Sequence, residues 1–589
     1  DIPLAPKTKA THHGIKQTSL KQTVTSDSLT FSPHEKGDET SPLPKKATVN
    51  TFQSLFSYNL NDDISDEDDL DLEVMYKDLF STRVNQKNQR MKSLRIEMYQ
   101  EKCDLINELQ PCSATTLAQL LDAHKVNSAV LSEKYAASDR LFKAIMGRIP
   151  SAHEYLEIYP SAFQAYNLII PSFLNLPYML WGILAADSHL IGLALYSGAR
   201  ASGCAYSVVH STRFALKRGL SERVIKNADE LSPDQLFPQE LAVAKLASEM
   251  NSFPYQVPKA THDGFVTNVE SESNREWIIL TISLAAYMST IMSALGLEIE
   301  EAAFEPVRDI LQASGWSPGK HSIASSLSAH GSMSPQTSLK ERSKSSSSSS
   351  SFAAIEKLKA EYEELERTQE KADANDKTVS RGDSLLSNLS LLRNVPANVA
   401  SNLQIARGVP KSWPEVGKFL KHEVGHSFHV LRFLKHSRAI KAVATTIMIS
   451  LDVMHSLIDP EIKYLIGLMY AGMTKNQHLE SIFIKLAKKN APDMRMETME
   501  AVYRFALEST PDTEPYTRLQ TSLAASCLSS KHQHMIYIAK ACAIPSSKAL
   551  SMFVIRAAKA YMTPAQTIEM ISWLGVLAIL HRLYIFYMP

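Results

Sequence analysis

Apolar positions recur at three- and four-residue intervals along most of this 589-residue chain, the spacing of an α-helix face rather than the alternation of a strand. Two long stretches carry this pattern compactly, residues 114–318 and 383–589, and each closes on a long apolar helix. The first is "WIILTISLAAYMSTIMSALGL", Trp277 to Leu297; the second is "IEMISWLGVLAILHRLYIFY" near the C-terminal end. Residues 74–113 predict a helical extension, with Met75, Leu79, Val84, Met91, Leu94 and Met98 at loosely helical spacing. The fold class expected is all-α: two helical bundle domains.

The intervening segments read differently. Residues 1–73 are rich in Ser, Thr, Pro and Lys and end in "NDDISDEDDLDLE", a composition that cannot bury enough apolar surface to offset chain entropy. A disordered tail with an acidic end is expected there. Residues 319–382 contain the unbroken run Ser345 to Ser351 and then a charged helix, whose Ile355, Leu358, Tyr362 and Leu365 are too few for a free-standing coiled coil. These residues are expected to form a linker.

The two compact regions resemble each other. "RIPSAHEYLEIYPSAFQAY" has a counterpart in "GVPKSWPEVGKFLKHEVGHSF", and "LIGLALYSGA" at Leu190 parallels "LIGLMYAGM" at Leu465. Two shared segments and a shared ending suggest a divergent duplication. The Trp277–Leu297 stretch is long enough to cross a bilayer, but Ser, Thr, Tyr and Gly run through it and Glu270, Glu272, Arg275 and Glu276 abut it. A buried helix is the reading preferred, with no transmembrane segment.

Composition narrows the class of function. Net charge is zero, so no global field argues for nucleic acid or an anionic membrane. Cys103, Cys112, Cys204, Cys527 and Cys542 are few, scattered and odd in number, which points away from a disulfide framework and toward a reducing, intracellular compartment, cytoplasmic or mitochondrial. The start at Asp1, followed by Lys7, Lys9, Lys16 and Lys21 with no further acid before Ser26, fits a processed or incomplete chain; no amphipathic Arg-rich leader helix is visible.

One stretch carries candidate chemistry: "SGARASGCAYSVVHSTRFALKRGLSERVI", followed by "FPQELAVAKLASEM" and the closing apolar helix. Over residues 150–297 it resembles the alkylhydroperoxidase D-like (AhpD-like), or carboxymuconolactone decarboxylase, family, and the second region repeats the resemblance more weakly. The resemblance implies an all-α bundle that oligomerises, in which a helix presents Cys-x-x-Cys to a Glu–His relay. Carried over, the first Cys is Cys204, the second is Ser207, the relay Glu falls on Gly192 and the relay His on Ser211, with His210 one residue early and rotated by about 100°. Asp187 and His189 lie about one turn before Gly192. A serine cannot form the intramolecular disulfide, so dithiol cycling is excluded. Cys204 is then either a buried relic or a one-cysteine site using His210 or His189 as base.

A competing motif lies in the second region, where "FLKHEVGHSFH" contains His422, Glu423 and His426 in H-E-x-x-H order. On a helix the two His would share a face and could bind zinc, with Glu423 activating a bound water. No third ligand stands at a recognised spacing; the position ten residues after His422 is Arg432. The reading adopted is a degenerate AhpD-like protein that acts as a structural or interaction scaffold, without a cofactor and with protein partners or self-association. The alternatives are peroxide-related activity through Cys204 alone and a zinc hydrolase through His422, Glu423 and His426.

Overall fold

The structure, a computed structural model, describes residues 112–146, 149–176, 188–324, 408–452, 456–508 and 528–589, together with residues 406 and 523. The expected tail over residues 1–73, nearly all of the extension over 74–113 and residues 325–382 of the expected linker lie outside the described residues, as do Asp187, Cys103 and Cys527. All described residues fall in one compact unit, Asp78–Pro589.

The all-α expectation holds. The described helices of the first region are α1 (Leu117–Leu121), α2 (Ser128–Lys134), α3 (Ala136–Met146), α4 (Ala152–Leu156), α5 (Pro160–Phe173), α6 (Ser188–Ala201), α7 (Ala205–Lys217), α8 (Glu222–Ala228), α9 (Pro238–Asn251), α10 (Lys259–Asn268) and α11 (Glu272–Leu295). It then folds back through α12 (Glu301–Phe304) and α13 (Arg308–Ala313). The described helices of the second region are α14 (Trp413–Glu423), α15 (Ser437–Leu451), α16 (Pro460–Thr474), α17 (Gln477–Asn490), α18 (Met496–Leu507), α19 (Ser530–Ala543), α20 (Met552–Tyr561) and α21 (Pro564–Tyr587). The extended structure described is a two-residue parallel ladder of β1 (Ile299–Glu300) with β2 (Ile323–Ala324). Residues 319–324, which composition assigns to the linker, therefore belong to the folded body.

The two long apolar helices have clear end signals. Ser271 caps α11 by accepting from the Asn274 amide, and Gly296 stops it in the left-handed region at φ 65°. Thr563 and Gln566 form a reciprocal capping box at α21, with Pro564 in the first turn. Both helices are long and apolar enough to cross a membrane, yet almost all of each is buried within the fold. They bury against one another in the most extensive helix pairing described. Gly575 permits a close approach: a Cβ there would lie 2.8 Å from Tyr287 Cδ2.

A second pairing repeats the logic. Helix α5, which precedes the helix of Leu190-Ile191-Gly192-Leu193, packs on α15, which precedes the helix of Leu465-Ile466-Gly467-Leu468. The hairpins α6–α7 and α16–α17 are each tightly packed, and the two regions share one continuous hydrophobic core. Buried charge is paired: Lys463 and Glu569, 1% and 2% exposed, meet at 2.6 Å. Glu569 also accepts from the amides of Leu457 at 2.8 Å and Ile458 at 3.0 Å, which satisfies its remaining lone pairs.

If the α11–α21 contact carries the core, Gly575→Val should overpack it and lower stability by ~1–3 kcal/mol. Urea unfolding measures this. An unchanged midpoint would show that the two helices can separate without cost.

Candidate functional site

Cys204 is placed by backbone geometry. Helix α6 ends at Ala201, Gly203 turns the chain with φ 72°, and Cys204 becomes the N-cap of α7. A side chain at position 203 would be strained at that φ, so the tight turn delivering the thiol needs glycine. The sulfur sits where the orphan amides of a helix N-terminus favour negative charge.

The imidazole beside it comes from an unexpected place. His321 Nε2 lies 3.7 Å from Cys204 Sγ, and the same ring bonds the Leu297 carbonyl through Nδ1 at 2.7 Å. A carbonyl only accepts, so Nδ1 carries the proton and Nε2 offers its lone pair to the thiol. Ser207 Oγ donates to the same sulfur at 3.3 Å. Burial alone pushes the Cys204 thiol up, but His321 and the Ser207 bonds outweigh it and hold the group below its ordinary value. Burial lowers the Lys320 ammonium, an effect partly offset by its attraction to Cys204 and Cys542. Cys542, by contrast, is pushed by burial to about 12.

Beside this pair lies a second buried polar group. Glu300 Oε2 meets His210 Nε2 at 3.0 Å, while Oε1 accepts from the Tyr206 hydroxyl at 3.0 Å and the Ser151 amide at 2.8 Å. Burial opposes ionisation of Glu300, but His210 and the Ser151 amide hold its carboxyl well below the usual range. His153 is fully buried among Phe142, Phe163 and Tyr166, and both of its ring nitrogens lack a hydrogen-bond partner. Burial, reinforced by His210, lowers its pKa to about 3.

Of the residues singled out from sequence, Cys204 and Ser207 do come together. His210 turns to Glu300 instead of the thiol. His189 stands at the opposite end of α6: neighbouring Ser188 bonds the Arg218 carbonyl at the far end of α7, ~20 Å along the helix from the thiol. At Gly192 a Cβ would lie 3.0 Å from Ala215 Cα, so the tight α6–α7 contact leaves no room for an acid. Ser211 spends its hydroxyl on the Val208 carbonyl of its own helix. His321 and Glu300 were missed. They lie 117 and 90 residues from their partners Cys204 and His210, and His321 falls in the stretch assigned to the linker. For Glu300 the available signal was the three acids directly after the long helix, in "LEIEE".

The H-E-x-x-H stretch does not form a helix face. Helix α14 ends at Glu423, and Gly425 turns out of it at φ 94°. His422 is largely exposed and bonds Glu423 at 3.0 Å, while His426 accepts from the Phe428 amide at 2.9 Å and is lowered to about 4 by burial. The helical spacing that would align the two imidazoles is lost, and among the described residues no group of three His, Cys, Asp or Glu could hold a metal ion. The same turn breaks the parallel between "YPSAFQAY", which is helical in α5, and "HEVGHSF". Comparison with protein-family models, curated proteins and solved structures finds no match to the chain.

The His153 environment makes a pH prediction. Its folded pKa of about 3 lies below the ordinary 6.5, so between those values the unfolded chain binds the proton and the folded one does not. Stability should fall as pH drops through that window, and the depressed Glu300 adds to the fall below its ordinary 4.5. His153→Phe should flatten the decline between pH 6.5 and 4.5 in urea titrations; an equally steep decline in the variant would contradict it.

Proposed function

We propose that the chain is a tandem AhpD-like protein whose first region keeps a single-thiol redox site at Cys204 and whose second region serves as its structural partner. The carrying observation is the Cys204–His321 pair, a thiol at a helix N-terminus facing an imidazole whose tautomer is fixed by the Leu297 carbonyl. The pairing of α5 with α15 and of α11 with α21 supports two related halves. Cys112, Cys204 and Cys542 are free thiols, which supports a reducing compartment.

In this reading Cys204 gives its proton to His321, and the thiolate attacks the distal oxygen of a small hydroperoxide. The S–O bond forms as the O–O bond breaks. The peroxide is reduced by two electrons, and its leaving alkoxide or hydroxide takes the proton held on His321. Cys204 is left as a sulfenic acid. With Ser207 in place of a resolving thiol, an external low-molecular-weight thiol condenses with it, releasing water. A second such thiol then restores Cys204.

A scaffold reading is favoured by one observation: Cys204 and His321 are both 0% exposed, as a pair retained for packing would be. The test separates the two. Native protein treated with equimolar hydrogen peroxide and a 1,3-dione trap should carry the sulfenic adduct at Cys204. The adduct should vanish in Cys204→Ser and form about 10²-fold or more slowly in His321→Phe, the low end of the factor expected for losing one general acid–base group. A folded protein that shows no adduct at Cys204 would leave the scaffold reading.

A further inference from the structure

A cleft of about 810 Å³ lies between the second region and Phe253–Val257 of the first, beside the helix start that corresponds to the thiol site. Cys204 is the N-cap of α7, and Asn476 is the N-cap of α17, again directly after a left-handed residue, here Lys475 at φ 52°. Each N-cap faces an imidazole: Asn476 Nδ2 lies 2.8 Å from His581 Nδ1.

The hydrogen-bond pattern fixes what the cleft offers. Asn476 Oδ1 is occupied in accepting from the Leu479 amide at 2.9 Å, so its Nδ2 must be the group that donates to His581 Nδ1. His581 Nε2 therefore carries the proton. That N–H is fully buried and has no partner, and the residue lines the cleft. A buried donor without an acceptor costs free energy that a ligand oxygen would recover.

The surrounding charge has one predominant sign. Lys540 lines the cleft, its ammonium held by the Phe505 carbonyl and, at 2.8 Å, the Glu508 carbonyl, which leaves a third donor. Arg582, 1% exposed, stacks at 3.6 Å on the lining Tyr255, and its guanidinium bonds the neutral Tyr470 hydroxyl at 3.2 Å. The N-terminus of the 14-residue α17 opens on the cleft through Asn476, Gln477 and His478. Lys475 adds a cation and Glu508 an acid. Tyr584, Ile585 and Met588 give the wall an apolar side.

We infer that this cleft binds a small organic anion, a carboxylate bearing an apolar tail, with the carboxylate on His581 Nε2 and Lys540 and the tail along Tyr584, Ile585 and Met588. Its volume lies within the range of small-molecule sites, ~300–1,000 Å³. The inference stands independently of the Cys204 chemistry.

Three probes test it on the full chain by calorimetry and thermal shift. Octanoate supplies head and tail, octanol the tail alone, and acetate the head alone. Octanoate should bind one-to-one and raise the melting temperature, with octanol and acetate at least about tenfold weaker. His581→Phe and Lys540→Met should each weaken octanoate by about tenfold and leave octanol unchanged. Equal binding of octanol and octanoate, or no saturable octanoate binding, would overturn the inference. This three-probe comparison on the unmodified protein decides the matter even if a variant fails to fold.

Discussion

Two 24-residue apolar helices, one from each region, cannot be left in water and find their partner in each other. The burial of α11 against α21 is the constraint from which the other arrangements follow. It works because Gly575 lets the helices approach until Tyr287 and Ile291 fill the space a side chain would take. With that seam fixed, the hairpins α6–α7 and α16–α17 pack around a common core, and α5 meets α15 alongside it.

The seam also determines where the chemistry can form. Once α11 stops at Gly296, the chain must return across the body, and it does so through β1, α12, α13 and β2. That return brings Glu300 to His210 and His321 to Cys204, so the polar groups are supplied after the bundle is built. It is anchored in turn by the second region, where the Ser547 carbonyl accepts from the Lys320 amide at 3.0 Å. The thiol environment thus depends on both halves, and the second also brings Cys542 within the field of Lys320. In the second half an amide takes the N-cap position, and the geometry that would hold a thiol against an imidazole instead leaves a buried, unpartnered donor on a residue that lines a cleft.

Local features of the chain were legible from sequence. Helical periodicity gave the all-α class, and the two closing helices were visible as long, mainly apolar stretches; the Gly203 turn that splits the cysteine segment into α6 and α7 was not. The buried reading of Trp277–Leu297 holds because Tyr287, Ser289 and Thr290 face protein. Non-local features were not legible. His321 sits in "SPGKHSIASS", whose Gly, Pro and Ser content reads as linker, and nothing local marks it as the partner of a residue more than a hundred positions earlier. The H-E-x-x-H motif failed for the opposite reason: its letters matched, but Gly425 takes a left-handed conformation that ends the helix before the second His is reached. Spacing carries chemistry only where the backbone keeps its period.

The central claim is that His321 makes Cys204 a stabilised thiolate. It is tested most directly by the pH dependence of the Cys204 alkylation rate in the folded protein, followed by mass spectrometry at that residue. An inflection below the ordinary thiol value of about 8.5, rising in His321→Phe, follows from the pair. An inflection at or above that value, unmoved by the substitution, would mean that the imidazole and the sulfur merely share a buried space.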